Sequence, residues 1–226
     1  SYSGSKTISY TGPGGTPTYT TAVSFTSGQS TTTLVTTLTK AETTTITASD
    51  GATTGPASSS LTVNVGTVSK LVVTLPGQTF TSGVGNSGTV TAQTAGTAFN
   101  ITSITVTDAG FNTVTSYSGS KTISYTGPGG APTYTTAVSF TSGQSTTTLA
   151  TTLTKAETAT ITASDGTTTG PASSSLTVNA GAATKLAITA TPGSATAGTN
   201  FSVTVQSQDA SGNAANVLAN TGISLA

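Results

Sequence analysis

The sequence has 226 residues, of which 33% are hydrophobic and 5% are charged, and six Lys balance six Asp plus Glu. This balance favours a folded chain, because disorder needs high net charge beside low hydrophobicity. His, Cys, Arg, Met and Trp do not occur. The usual general base, thiol nucleophile, soft-metal ligands and bidentate phosphate clamp are therefore missing. The composition excludes most enzyme classes, and we predict a non-enzymatic protein without a cofactor.

The same counts limit the partners. Six scattered Lys cannot neutralise a nucleic acid backbone, which needs clustered positive charge. No apolar run approaches the ~18 to 20 residues of a membrane span. We predict no nucleic acid partner and no membrane insertion in this segment.

An internal repeat organises the chain. Residues 1–66 recur at 116–181 with a period of 115 residues, and five of the 66 paired positions differ. A third, diverged copy follows, because KLAITATPG from Lys185 matches KLVVTLPG from Lys70. The repeat predicts three parts, which are the C-terminal part of one repeat (1–66), one complete repeat (67–181) and the N-terminal part of a third (182–226).

The predicted elements are all strands. Thr occurs 59 times, and β-branched residues favour pleated strands. The alternation puts Val35 on an outer face, and an irregularity after Phe99 predicts a β-bulge near Thr102 or Ser103. About eight short strands in ~115 residues, without a helical period, predict an immunoglobulin-like β-sandwich. In the complete repeat the strands are placed near 70–75, 88–93, 99–108, 121–126, 133–140, 145–153, 158–164 and 173–180. Their predicted inward residues are Leu71, Val73, Phe99, Ile101, Ile104, Val106, Ile123, Tyr125, Val138, Phe140, Leu149, Leu153, Ala159, Ile161, Leu176 and Val178.

The order of these motifs resembles a known family. KLVVTLPG is followed by AGTAFNITSITV, DAGFN (DASGN in the third copy), KTISY, TITASDG and SSSLTVN. This layout resembles the bacterial Ig-like tandem repeats of large extracellular surface and adhesin proteins. The resemblance implies tandem Ig-like domains, a location outside the cell or at its surface, and a role in spacing, adhesion or assembly. Calcium-stiffened repeats of that type are usually rich in Asp, whereas this chain has four Asp, which gives no reason to expect calcium dependence.

Two Asp–Asn pairs are the candidate metal ligands. Asp108 with Asn112, and Asp209 with Asn213, offer oxygens of the kind that Ca²⁺ binds. Such a site needs about six to eight oxygen ligands, and each loop has one carboxylate. Asp and Asn also cap turns with their own side chains. We predict turn residues and no metal.

A covalent cross-link is a second candidate. Lys70 is on the first predicted strand and Asn179 on the last, the placement of intramolecular Lys–Asn isopeptide bonds in some Gram-positive surface proteins. Glu157 or Asp108 would then be the buried acid. The alternative is an exposed Lys and an Asn at a strand end, and we predict that no bond forms.

Three functions fit the sequence. The first is a stalk or spacer segment of a bacterial extracellular surface or adhesion protein, in contact with neighbouring repeats of its own chain or with other copies. A glycan or host ligand would then bind elsewhere in the full protein. The second is a self-assembling subunit of an extracellular filament, sheath or surface layer, since a surface with few charges lacks repulsion. The third is a carbohydrate-binding module, for which Tyr2 and Tyr117 are the rings predicted to be most exposed.

The incomplete parts of the repeat lead to one further expectation. Residues 1–66 contain later strands of a repeat without its first strands, so Ile8, Leu34 and Ile46 should be partly uncovered. We favour an array that continues at both ends over completion of one molecule by the next.

Overall fold

A computed structural model describes residues 2–217 and 222–223. Within these residues all regular secondary structure is β, which confirms the predicted class. The described part contains no helix of the length and hydropathy that a membrane crossing requires.

We call residues 2–66 the first segment, residues 67–181 the central segment, and the described residues after 181 the third segment. Short paired strands make up the first segment. They form one three-stranded sheet, β1-β4-β5, and three two-stranded pairs, β2-β8, β3-β6 and β7-β9. The strands of this segment are β1 (Gly4–Thr7), β2 (Ser9–Thr11), β3 (Thr18–Tyr19), β4 (Ala22–Thr26), β5 (Gln29–Ser30), β6 (Thr36–Thr37), β7 (Thr43–Thr44), β8 (Thr47–Ser49) and β9 (Leu61–Thr62).

The central segment contains the strands of the complete repeat, which are β10 (Lys70–Thr74), β11 (Gln78–Thr81), β12 (Gly85–Gly88), β13 (Gln93–Thr94), β14 (Ala98–Ile101), β15 (Ser103–Thr107), β16 (Gly119–Thr122), β17 (Ser124–Thr126), β18 (Thr133–Tyr134), β19 (Ala137–Thr141), β20 (Gln144–Ser145), β21 (Leu149–Thr152), β22 (Glu157–Ala159), β23 (Thr162–Ser164) and β24 (Leu176–Asn179). A five-stranded sheet has the order β10-β15-β20-β19-β16, and smaller sheets are β14-β21-β18, β13-β24-β22, β17-β23 and β11-β12. In the third segment β25 (Lys185–Ala190) pairs antiparallel with β26 (Thr204–Gln208).

The buried apolar core lies in the central segment, from Leu71 to Val178. It contains all of the predicted inward residues except three. Phe99 and Tyr125 are partly buried and pack against the core, and Ala159 is half-buried. The period-two alternation therefore identified most of the core, which also contains Leu75, Ala95 and Ala163. The division of the chain at residues 66 and 181 stays a prediction from the repeat.

Long predicted strands are split by changes of sheet. β14 pairs with β21, whereas β15 pairs with β10, so the chain changes sheet at Thr102. The Thr102 N–H donates to the carbonyl of Thr74 at 2.9 Å. The irregularity lies where we predicted it, but the predicted bulge is wrong, because a change of partner strand takes its place. A second break falls at Ile123, between β16 and β17, and this side chain is fully buried.

One predicted strand is wrong. The stretch predicted as a strand at 88–93 is mostly irregular, and a hairpin of β11 and β12 precedes it. Phe80 is the only large apolar residue in the two strands, so the hairpin has too little alternation to be recognised. Its glycines allow a tight path, since a Cβ at Gly77 would lie 2.2 Å from the Thr89 carbonyl oxygen.

The outer segments expose apolar residues that the central one buries. Leu34 is 44% exposed, while its repeat equivalent Leu149 is 2% exposed. In the third segment Leu186 is 53% exposed, whereas the matching Leu71 is fully buried. The expectation for Leu34 is confirmed, but that for Ile8 is wrong, since Ile8 is buried at 6% exposure. Val35 is exposed, as predicted.

Candidate functional site: the joints between successive repeats

The loop that follows β15 is shaped by Asp108. Its Oδ1 accepts hydrogen bonds from the N–H of Gly110 at 2.8 Å and of Asn112 at 2.9 Å. The Asp108 N–H in turn donates to the Asn112 carbonyl at 3.0 Å. Asp and Asn favour such turns because their side chains bond nearby main-chain groups. The loop presents the Asn112 amide to the preceding segment.

Lys70 stabilises the same loop from β10. Its ammonium donates to the Ala109 carbonyl at 2.7 Å and lies 3.6 Å from the centroid of the Phe111 ring. Phe111 has φ of 64°, a left-handed conformation that is unfavourable for a bulky residue. The cation–π contact offsets part of that cost. Lys70 is thus a positioning residue for the loop.

Asp108 and Asn112 bind the preceding segment through its main chain. The Asn112 Nδ2 donates to the Thr39 carbonyl at 2.8 Å, and the Ala41 N–H donates to Asn112 Oδ1 at 2.7 Å. The Gly66 N–H donates to Asp108 Oδ2 at 2.8 Å. The two side chains are 6% and 3% exposed. We name these five residues the first clamp.

The same arrangement recurs one repeat later. The Asn213 Nδ2 donates to the Thr154 carbonyl at 2.8 Å, and its Oδ1 accepts from the Ala156 N–H at 2.8 Å. The Gly181 N–H donates to Asp209 Oδ2 at 2.8 Å. We name these five residues the second clamp. Their main-chain partners lie 115 residues after those of the first clamp.

Electrostatics favour an ionised carboxylate in each clamp. Burial raises the pKa of Asp108, and hydrogen bonds from Asn112, Gly66 and Gly110 lower it. The hydrogen bonds have the larger combined effect, so the pKa lies below its ordinary value. The pKa of Asp209 is lowered in the same way, by hydrogen bonds that outweigh its burial.

The Asp108 carboxylate oxygens accept hydrogen bonds from N–H groups, which a cation would have to displace. The Asp209 carboxylate likewise accepts from the N–H groups of Gly181 and Asn213. Both carboxylates considered for calcium are therefore surrounded by N–H donors. No group of three or more acidic side chains that could hold a metal ion occurs within residues 2–217 and 222–223.

An ion pair orders the segment that each clamp binds. Lys40 Nζ lies 2.9 Å from Glu42 Oε2. Glu42 Oε1 also accepts a hydrogen bond from the Gly14 N–H at 2.5 Å. The hydrogen bond with Lys40, followed by that from Gly14, lowers the pKa of Glu42. Lys155 and Glu157 repeat this pair at 2.8 Å.

The few charges of the chain are concentrated at the joints. Each joint has four of them, one within the clamp and three beside it, so the two joints hold eight of the twelve charged side chains. Those eight are Lys40, Glu42, Lys70 and Asp108 at the first joint, and Lys155, Glu157, Lys185 and Asp209 at the second.

The remaining charges support turns beside tyrosine rings. The Tyr117 hydroxyl donates to Asp165 at 2.5 Å, and Lys121 Nζ lies 5.1 Å from the ring centroid. Burial, reinforced by this hydrogen bond, raises the pKa of Tyr117. The predicted exposure of Tyr117 is wrong, because its ring is partly buried and packs edge-on against Phe140. Tyr2 is 39% exposed and is hydrogen-bonded to Asp50.

The residues considered for an isopeptide bond have separate surroundings. Lys70 binds the Ala109 carbonyl, and Glu157 pairs with Lys155. Asn179 is exposed at the end of β24. That no bond forms stays a prediction.

Comparisons with known proteins add little. No protein-family model matches the sequence, and no curated protein matches it. Among solved structures, InvD of Yersinia pseudotuberculosis is similar with a TM-score of 0.37 and 17% identity, over 92% of this chain and 61% of that chain. Domains 4–9 of the surface layer protein SbsC give a TM-score of 0.27 and 16% identity, over 81% of this chain and 26% of that one. Domains 4 and 5 of SbsC give a TM-score of 0.28 and 13% identity, over 70% of this chain and 90% of that chain.

The chain thus spans 61% of the InvD chain and about a quarter of the longer SbsC chain. With such TM-scores and identities, these similarities assign neither a fold family nor a function.

Proposed function

We propose that the chain is a non-enzymatic structural segment, a stalk or spacer of a bacterial extracellular surface or adhesion protein, built from tandem Ig-like β-sandwich repeats. One observation supports this function above others. The joint between the first and central segments has the same hydrogen bonds as the joint between the central and third segments. A protein that repeats its joints as well as its domains extends by adding units.

The use of charge supports the same function. Catalysis and charged-ligand binding need ionisable groups that converge on a cleft. Here the charged side chains form ion pairs with each other or hydrogen bonds that stabilise loops and turns. Eight of the twelve lie at the joints. Most of the few charged side chains therefore stabilise the connection between repeats.

A self-assembling filament, sheath or surface layer is the second candidate. The exposed apolar residues Leu186 and Ile188 of β25, with Phe201 before β26, favour it, because exposed apolar patches mark contact surfaces. Partners in that case are other copies of the same protein.

A display experiment tests the spacer function. The chain is inserted between a surface anchor and a small binding domain, and capture of a target that is recessed below the cell surface layer is measured. We expect capture to increase, and to match that of an unrelated rigid spacer of equal length. Capture without the binding domain would contradict a spacer, and ordered fibres of the purified chain in electron microscopy would favour the filament.

A further inference from the structure

We propose that each Asp–Asn clamp is a lock that recognises the main chain of the preceding repeat and fixes the orientation of one repeat against the next. This inference deepens the proposed spacer function and rests on it. The partner of the lock is a neighbouring repeat, and the lock reads backbone geometry instead of side chains.

The amide of Asn112 matches the preceding segment as a strand would. In a parallel ladder one residue donates to the carbonyl of residue i−1 across from it and accepts from the N–H of residue i+1. Asn112 makes this pair of bonds with its side chain, to the Thr39 carbonyl and the Ala41 N–H. The side chain therefore replaces a neighbouring peptide group.

Every group of the Asn112 side chain is used. The oxygen accepts from Ala41, and the Nδ2 group donates to Thr39 and to Asp108. Because Asn112 is 3% exposed, rotation of its amide would leave buried polar groups without partners. The buried Asp108 carboxylate fixes the amide in the orientation that the joint needs. Asp108 also reaches the preceding segment itself, through the Gly66 N–H.

The second clamp shows which features the lock requires. The loops read DAGFN at the first joint and DASGN at the second, so the residues between Ala and Asn differ. The cross-joint bonds are nevertheless 2.8 Å for both Thr carbonyls and both Gly N–H groups. A lysine also binds the loop in both copies, Lys70 to Ala109 and Lys185 to Ala210.

Recognition of main-chain atoms has a consequence for the array. Neighbouring domains in one chain usually move relative to each other unless their interface is large and apolar. Three partly buried hydrogen bonds to the backbone resist such motion without depending on the side chains of the preceding repeat. Repeats that diverge in sequence can therefore join in the same orientation.

Distances between spin labels test the lock in the full chain. The chain has no Cys, so labels attach only where Cys is introduced. Val35→Cys and Ala150→Cys place labels at equivalent exposed positions on either side of the first joint. Pulsed electron–electron double resonance then measures the distribution of distances across that joint.

Asn112→Ala should make this distribution roughly twofold broader, because a joint that keeps one of its three hydrogen bonds no longer selects one orientation. Asn213→Ala is the matched control, since it changes only the second joint and should leave the distribution unchanged. Ala41→Ser alters a recognised residue but not its N–H, and should also have no effect. If Asn112→Ala unfolds the central segment, Asn112→Ser keeps a short polar group near Asp108 and is too short to span to Thr39 and Ala41.

An unchanged distribution in a folded Asn112 variant would overturn the lock, while leaving the spacer function intact. Broadening by Ala41→Ser equal to that of Asn112→Ala would overturn main-chain recognition. A spacer that fails in the display experiment although its distributions behave as expected would instead refute the proposed function.

Discussion

Two leucines at equivalent repeat positions should differ sharply in their contribution to stability. Leu149 is 2% exposed in the central core, and Leu34 is 44% exposed in the first segment. Removing three buried carbons costs about 2.4 kcal/mol, at ~0.8 kcal/mol for each methylene. A residual cavity of roughly 60 Å³ adds about 1.4 kcal/mol. We therefore expect Leu149→Ala to lower the free energy of unfolding of the central segment by about 4 kcal/mol.

Leu34→Ala should cost the first segment only about 1 kcal/mol, because roughly half of the side chain is already in solvent and water fills the space that it leaves. Urea unfolding followed by two-dimensional NMR separates the two segments. The Ile104 amide reports on the central segment, because residues 1–66 contain no equivalent of Ile104. The Val35 amide reports on the first segment, because the equivalent residue in the central segment is Ala150. Equal losses for the two variants would refute the assignment of exposed and buried faces.

Four further predictions concern single groups and conditions. The Tyr134 hydroxyl is buried without a hydrogen-bond partner among the described residues, whereas that of Tyr125 donates to the Thr135 carbonyl. In thermal melts Tyr134→Phe should therefore be neutral or stabilising and Tyr125→Phe should cost about 1 kcal/mol, and the reverse order would contradict this reading. The pKa values of all six Asp and Glu side chains are lowered from their ordinary values. Burial raises the pKa values of Tyr125 and Tyr134 to about 12. The carboxylates contribute stability above their unfolded pKa, near 4, and lose it as the pH falls through the folded values, while the tyrosines lose theirs as the pH rises above ~10. Unfolding free energies should therefore be constant between about pH 5 and 9, and a step near pH 6 to 7 would count against this assignment. Melts with EDTA and with excess calcium should coincide, since N–H donors surround Asp108 and Asp209, and an upward shift with calcium would mean that these oxygens bind the ion. Intact-protein mass should equal the sequence mass, and a loss of one ammonia would reveal the isopeptide bond.

The sequence predicted the class and most of the core well, because these depend on local alternation. Residues such as Ile104 and Leu176 alternate with Thr and Ser, and both are fully buried. The strand ends were predicted less well. The alternation breaks at Thr102, and the local pattern shows the break but not its cause, which is a change of partner strand.

The clamp could be predicted only in part. The residue types of Asp108 and Asn112 identified them as candidates, and the sequence allowed two interpretations, a calcium site or a turn. Their contact with the preceding segment was missed, because Thr39, Ala41 and Gly66 take part through main-chain atoms that any residue except proline provides. The recurrence of Asp and Asn, four residues apart, at the same place in two copies was the available signal.

The central claim is that the chain extends by adding repeats through fixed joints. It is tested most directly by inserting one more copy of residues 67–181 after Gly181 and measuring the maximum dimension by small-angle X-ray scattering. We expect that dimension to grow by roughly 35 Å, the diameter of a compact unit of this size, and to grow by the same amount for a second insertion. A dimension that stays constant, because added repeats fold back on their neighbours, would contradict the account.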